Sequence, residues 1–220
     1  MARPKSPLIE RRAAVEAALT LIDAEGLDGF SIRRLGAALG VNGASLYHHF
    51  ADKDEILTEV VRLVLSDLRI PRGRQETWQT WFVTAGAAYR SAVLRHPNIA
   101  PLLVGRRPRM FGQEVFDYTA RLLAEGGVPA EFHLAVMEAS EMLAFASAMF
   151  TIAEPAGGGF GPISAELGAL ATAVDTCSLD QEAAFRAIAA SLVAGLEAKI
   201  TTATFGSPIK AAGRQRPRRL

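Results

Sequence analysis

An all-α fold is what this chain of 220 residues predicts, and three features carry the prediction. Apolar residues recur at spacings of three and four along most of the chain, the period of a helix with one buried face. Glycines and prolines sit mainly between these stretches, where they end helices rather than weaken them. Half of the residues are apolar, enough for a substantial core, and no segment shows the two-residue alternation of a strand.

The elements follow in order. A first helix is expected from Pro7 to about Glu25, with Ser6 as its cap and proline in the first turn. A short helix opens at Ser31, whose hydroxyl suits an N-cap, and buries Ile32, Leu35, Ala38 and Leu39. Gly36 on that face leaves room for another helix to cross closely. Gly40 follows as a left-handed C-cap, Val41 plugs the corner, and Asn42 caps a second short helix running to Phe50. A longer helix is expected from near Asp52 to Arg69, before Pro71 and Gly73. Four more are expected over about 75–95, 99–104, 110–125 and 129–153, separated by His96-Pro97, the loop Gly105 to Pro108, and Gly126-Gly127. Gly157, Gly158 and Gly159 belong to a loop over 154–162. A short helix near 163–175 and a final one from Asp180 to about Thr204 complete the chain.

The corner at Gly40 is the most informative stretch. Two short helices joined at a glycine make a helix-turn-helix, whose second helix fits the DNA major groove. In that second helix Leu46 and Phe50 lie four apart and face the core. Gly43, Ala44, Ser45, Tyr47, His48 and His49 cover the remaining surface. Small residues at its start let the backbone approach base edges, and the Ser45 and Tyr47 hydroxyls suit phosphates or bases. Lys53 is expected to meet a phosphate at the N-terminus of the next helix, where the dipole already favours anions.

Charge is distributed to match. The net charge is +1, but Arg3, Lys5, Arg11 and Arg12 crowd the start, and Lys210, Arg214, Arg216, Arg218 and Arg219 the end. A basic arm beside a helix-turn-helix is what phosphate attraction favours. Residues 206–220 read as a basic disordered tail. The opening residues lack the apolar stretch of an export signal, and no run of about 18 uncharged apolar residues appears. Cys177 is the only cysteine, which excludes an internal disulfide and fits a cytoplasmic protein. No Ser-His-Asp order, phosphate-binding glycine loop or HExxH spacing occurs, so no enzyme, cofactor or metal site is expected.

The stretch from residue 24 to 57 resembles the DNA-binding domain of the TetR family of bacterial transcriptional repressors. The likeness rests on Ala24-Glu25-Gly26, then FSIRRLG, LGV, SLYHHF and DKDEIL, in that order and at those distances. It implies base contacts from Arg33, Asn42, Gly43, Ala44 and Tyr47, and phosphate contacts from Ser31, Ser45, His49 and Lys53. ETWQTWF, AAYRSAVLRHP, the GRRP loop and EAAFRAIAASLVAGLE are similar to a tetracycline-repressor-type C-terminal domain. The implied architecture is a DNA-binding head over residues 1–51, a connecting helix over 52–70, and a ligand-binding and dimerisation domain over 71–205. In such proteins a small molecule binds between helices, the connecting helix moves, and two reading heads spread.

The ligand set departs from the tetracycline-binding pattern. Leu103 stands where that pattern has a metal-coordinating histidine, Arg106 where it has a small hydroxyl residue, and His96 matches a histidine that is not a ligand. A tetracycline–magnesium complex is therefore not expected. What remains is an apolar set suited to a largely apolar small molecule. From the first half it takes Trp78, Trp81, Phe82, Tyr89, Leu102 and Leu103; from the second, Phe111, Phe116, Met137, Met142 and Phe145. His133 and Glu138 or Glu141 are candidate polar anchors.

Dimerisation is expected through the two late helices. The 129–153 helix is apolar around much of its circumference and includes Met149; the last carries Phe185, Ile188, Leu192 and Leu196. Two such helices from each subunit suit an intermolecular four-helix bundle. A homodimer also satisfies DNA geometry, since two recognition helices about 34 Å apart read a near-palindrome. The expected function is a ligand-released repressor on double-stranded operator DNA, without a membrane. An activator on the same fold, or a helical dimeric adaptor lacking specific DNA binding, are the alternatives.

Overall fold

The structure, a computed structural model, describes residues 10–66, 76–105, 113–154 and 161–201. Among these are nine α-helices and no strand: α1 (Arg11–Gly29), α2 (Ile32–Ala38), α3 (Lys53–Ser66), α4 (Trp78–Arg95), α5 (Ala100–Gly105), α6 (Gln113–Glu125), α7 (His133–Ala153), α8 (Gly168–Thr176) and α9 (Gln181–Thr201). Short 3-10 segments cover Gly43–His48, Pro97–Ile99 and Ala130–Phe132. The expected all-α class and element order hold. The Arg3-Lys5 arm, Arg106, Phe111, the Gly157–Gly159 loop and the 206–220 tail lie outside the described residues.

One expectation on an individual element is extended and one is corrected. The first helix runs regularly to Glu25, as expected. Its ladder breaks at Gly26, where φ is +73°, and one further turn runs on to Gly29. The second helix of the corner is not α-helical but a 3-10 segment, closed by i to i+3 bonds such as Ser45 N to Asn42 O and His49 N to Leu46 O. Only six residues make up this segment between the Asn42 cap and His49, a length at which the tighter 3-10 winding is common.

The N-terminal unit packs α1, α2 and the 3-10 segment against α3. Its core consists of Ala14, Ala18, Ile22, Phe30, Leu35, Leu46, Phe50, Ile56 and Val60, all buried. In the C-terminal unit α4 is central, with α7 and α9 along it and α6 at its start. Gly86 makes the closest approach on α4. A Cβ there would stand 3.1 Å from the Phe185 ring and 3.2 Å from Ser140 Oγ.

The two units meet where α3 packs on α4 and α5, and where α1 meets the segment after α4. The carbonyls of Ile22 and Asp23 lie in the last turn before the break at Gly26. Asn98, just beyond α4, reaches both, its Nδ2 donating to the two oxygens at 3.0 Å. His96 adds an Nδ1 contact to Asp23 Oδ2 at 2.8 Å.

Arg90 ties the core helices together. It is 3% exposed, yet each of its three guanidinium nitrogens has a partner. It reaches Ser147 Oγ at 2.9 Å and Thr151 Oγ1 at 2.8 Å on α7, and Glu182 on α9 at 2.7 Å. It also stacks 5.9 Å from the Phe185 ring centroid. A buried charge is tolerated only when paired in this way. Arg90→Leu removes the charge and strands these acceptors, and should lower unfolding free energy by about 2 kcal/mol in urea titration.

Candidate nucleic-acid interface and ligand pocket

The helix-turn-helix corner is built as its residues require. Ser31 Oγ accepts from Arg34 N at 3.3 Å, and Asn42 Oδ1 accepts from Ala44 N at 3.0 Å, so each short element has its cap. Gly40 takes φ +68°, and the Val41 amide returns to the Gly36 carbonyl at 2.9 Å. Gly36 is the crossing point: a Cβ there would lie 2.7 Å from Gly43 N and 2.8 Å from its Cα. The two backbones therefore touch, and no side chain larger than hydrogen fits between them.

Leu46 and Phe50 seal the underside of the 3-10 segment, both buried. On the outside Arg33, Asn42, Ala44, Tyr47 and His48 are exposed, Tyr47 at 56%. Ser31, Gly43, Ser45 and His49 are half-buried at the same edge. A phenol standing this far out of a small domain is without a packing role and suits a groove. Lys53 begins α3 as expected, but its ammonium turns inward. Nζ donates to Phe30 O at 2.9 Å and sits 5.3 Å from the Phe30 ring centroid, so one of its three donors serves the fold. The side of the residue remains exposed.

The start of α3 carries a second set of contacts. Asp52 Oδ1 accepts from Glu55 N at 2.8 Å, and Glu55 Oε2 accepts from Ala51 N at 2.6 Å, a reciprocal cap. Glu55 is held below the ordinary carboxylate range, first by the Ala51 amide and then by Arg11.

The apolar set resolves into one cavity and several outsiders. Between α4, α6 and α7 lies an apolar cleft of about 70 Å³. Trp78, Trp81, Phe82 and Tyr89 line it from α4, Val115, Phe116, Thr119 and Leu123 from α6, and Val136, Met137, Ser140 and Glu141 from α7. Of the residues expected there, Trp78, Trp81, Phe82, Tyr89, Phe116 and Met137 converge. Leu102 and Leu103 do not; they are buried on α5, which packs on α3. Met142 is half exposed on the outer side of α7, and Phe145 opens with Met149 onto a depression beside Pro97 and Pro101.

The polar anchors divide similarly. Glu141 lines the cleft, Glu138 is exposed, and His133 Nε2 instead contacts the Val128 carbonyl at 2.8 Å. Thr119 and Ser140 escaped the sequence reading. Both lie one turn from residues it did place, Phe116 and Met137, so extending the helical spacing from those anchors would have found them. Thr119 Oγ1 accepts from Trp81 Nε1 at 2.9 Å and donates to Val115 O at 2.8 Å. Trp78 stacks on Gly126, and its Nε1 has no hydrogen-bond partner among the described residues.

The late helices leave an apolar face uncovered. Leu134, Met142, Met149 and Phe150 of α7 are exposed, Phe150 at 72%, beside Ile188 at 52% and Leu192 on α9. Phe185, expected on this face, points inward at 3% exposure, because Gly86 opens a slot for its ring. Leu196 is half-buried against the core. The segment Ala130–Ala153 has a mean hydropathy of 1.3 over its best window, which by length and composition alone would pass for a membrane span. The sequence reading expected none; Glu138 and Glu141 interrupt the apolar run of this helix.

The chain is similar to known proteins in both sequence and fold. The family of bacterial regulatory proteins named tetR matches residues 14–60, which hold most of α1, the whole corner and the first half of α3. The family match is carried by these 47 residues of the 220. It is 29% identical over 125 residues to the class A tetracycline repressor of transposon 1721 from Escherichia coli, spanning 56% of this chain and 57% of that relative. The chain thus matches little more than half the length of such curated relatives. Over its whole fold it is similar to apo ActR from Streptomyces coelicolor, with 27% identity, a TM-score of 0.75, and coverage of 90% of this chain and 99% of that one. ActR in complex with actinorhodin gives 26% identity, a TM-score of 0.73, and coverage of 89% and 99%. These relatives are regulators, and the two-part helical architecture is shared with them.

Two outcomes are expected from this geometry. Gly36→Ala should lower the unfolding free energy by about 1–3 kcal/mol, because the methyl meets backbone on both sides. A thermal melt followed by circular dichroism measures this. Glu55 has a depressed folded pKa, so its contribution is complete above the unfolded value near 4.3 and is lost as pH falls through the folded value. The melting-temperature gap between wild type and Glu55→Gln should therefore be full at neutral pH and close on acidification.

Proposed function

We propose that the chain is a homodimeric, cytoplasmic transcriptional regulator that binds a near-palindromic operator and is released by a small, largely apolar molecule. The observation that carries the reading is the corner itself. Its inner residues are sealed, its backbones touch at Gly36, and Arg33, Asn42, Ala44, Tyr47 and His48 stand on one outer edge. On this reading residues 1–51 form the head, 52–70 the connecting helix, and 71–205 the sensing and dimerising part.

The apolar face of α7 and α9 supports the dimer. Six large apolar side chains exposed on adjacent helices are more than a lone soluble subunit usually shows together. The cleft between α4, α6 and α7 supports the ligand, since it is concave, aromatic and edged by a few polar groups. ActR, solved with actinorhodin, is a relative in which a small molecule was bound. Release would require the ligand to favour the non-binding arrangement over the DNA-bound one.

Selection from a pool of random duplexes tests the reading with no operator sequence assumed. Wild type should enrich a near-palindrome and prefer it over random DNA by a factor on the order of 10³ or more. Tyr47→Ala should reduce that affinity by roughly 10- to 100-fold, while sedimentation still reports a dimer. A stable dimer that enriches nothing would favour the adaptor alternative.

A further inference from the structure

The segment that presents Tyr47 is only six residues of 3-10 helix, too short to steady its own end. What steadies it comes from the far side of the head. Resting on the DNA-binding reading above, we propose that Arg11, the first residue of α1, is a positioning residue for DNA recognition and not a phosphate contact.

Two side chains grip three consecutive residues just after the 3-10 segment. Arg11 Nη1 donates to the carbonyl of His49. The guanidinium carbon lies 4.5 Å from the centroid of the Phe50 ring. Glu55 Oε2 accepts from the amide of Ala51 at 2.6 Å. The two side chains are themselves joined, Arg11 Nη2 to Glu55 Oε1 at 2.6 Å, with Glu59 Oε1 behind at 3.4 Å. A carbonyl, a ring and an amide are thus fixed between α1 and α3, immediately beyond the residue that ends the reading segment.

The same contacts argue against a phosphate role. A guanidinium between two carboxylates has its charge locally neutralised, and a phosphate would have to displace one of them. Its fork is directed at the His49 carbonyl and Glu55, which lie 38 and 44 residues away in sequence. Arg suits this task because a rigid planar fork serves two acceptors at once, while its face covers an aromatic ring; a lysine cannot do all three.

The test uses the full chain and the duplex selected by wild type, with a random duplex of equal length, in fluorescence anisotropy over a range of salt. Arg11→Met should weaken binding to the selected duplex about tenfold, leaving the random duplex and the salt slope unchanged. Arg11→Lys keeps the charge but lacks the fork, and should be nearly as impaired. Glu55→Gln should give the same kind of defect, and the double variant should be little worse than either single one, as expected for one shared unit. Thermal melts and titration of the binding-competent fraction separate these effects from loss of folded protein.

A salt slope reduced by about one, with both duplexes weakened alike, would make Arg11 a phosphate contact and overturn the proposal. So would an Arg11→Lys protein that binds like wild type, or additive losses in the double variant. A wild-type protein that prefers no duplex would instead overturn the DNA-binding reading, before any variant is made.

Discussion

Backbone contact at Gly36 is the constraint on which the reading surface depends. With 2.7 Å between a would-be Cβ and Gly43 N, α2 and the following 3-10 segment are as close as two backbones can run. That closeness sets the angle between them, and the angle decides which residues look outward. Gly40 turns the chain, Val41 returns its amide to Gly36, and Leu46 drops into the core beneath. Asn42, Ala44 and Tyr47 are left outside because everything that could fill the inside already does. Local propensity alone would not hold so short an element; tertiary packing and the grip on its C-terminal end do so.

A second constraint governs how the head sits on the rest. The positive φ at Gly26 breaks α1 just beyond the Ile22 and Asp23 carbonyls. Those oxygens are satisfied across the junction by a single side-chain nitrogen of Asn98. Both bonds come from one side-chain nitrogen, so the head cannot drift from this seat without losing them together. The junction is therefore a discrete contact that is either made or broken, the kind of element that gives two states rather than a gradual slide.

Much of this was legible in the chain, for identifiable reasons. The corner could be read because glycine at positions 36 and 40 marks a close crossing and a left-handed turn, and because Leu46 and Phe50 keep helical spacing on either side of Tyr47. Most of the cavity aromatics could be read as an apolar set, yet Leu102 and Leu103 had the same signature and proved to be core on α5. Periodicity tells which face of a helix is buried but not what it is buried against. Phe185 illustrates the limit: its spacing matches Ile188 and Leu192, and only the slot opened by Gly86, far earlier in the chain, turns it inward. The Arg11 grip was hidden for the same reason, since an arginine in a basic stretch reads as a phosphate-attracting charge until its distant partners are placed.

The central helix links the pocket to the junction. Trp78, Trp81 and Phe82 line the cleft from the first turns of α4, and His96 and Asn98 follow closely on its last residue, Arg95. An α-helix of 18 residues spans about 27 Å and transmits displacement with little compression. The cleft hydroxyls of Thr119 and Ser140 already have protein partners, so an occupant would gain mainly from burial of apolar surface and from shape. Burial of that kind discriminates between arrangements of the walls, because a wall displaced by even a fraction of an ångström forfeits contact on one side. An occupant that fits better with α4 shifted would thus act on the Asn98 bonds at the other end. Its whole influence on DNA would equal the difference in its affinity for the two positions of that helix.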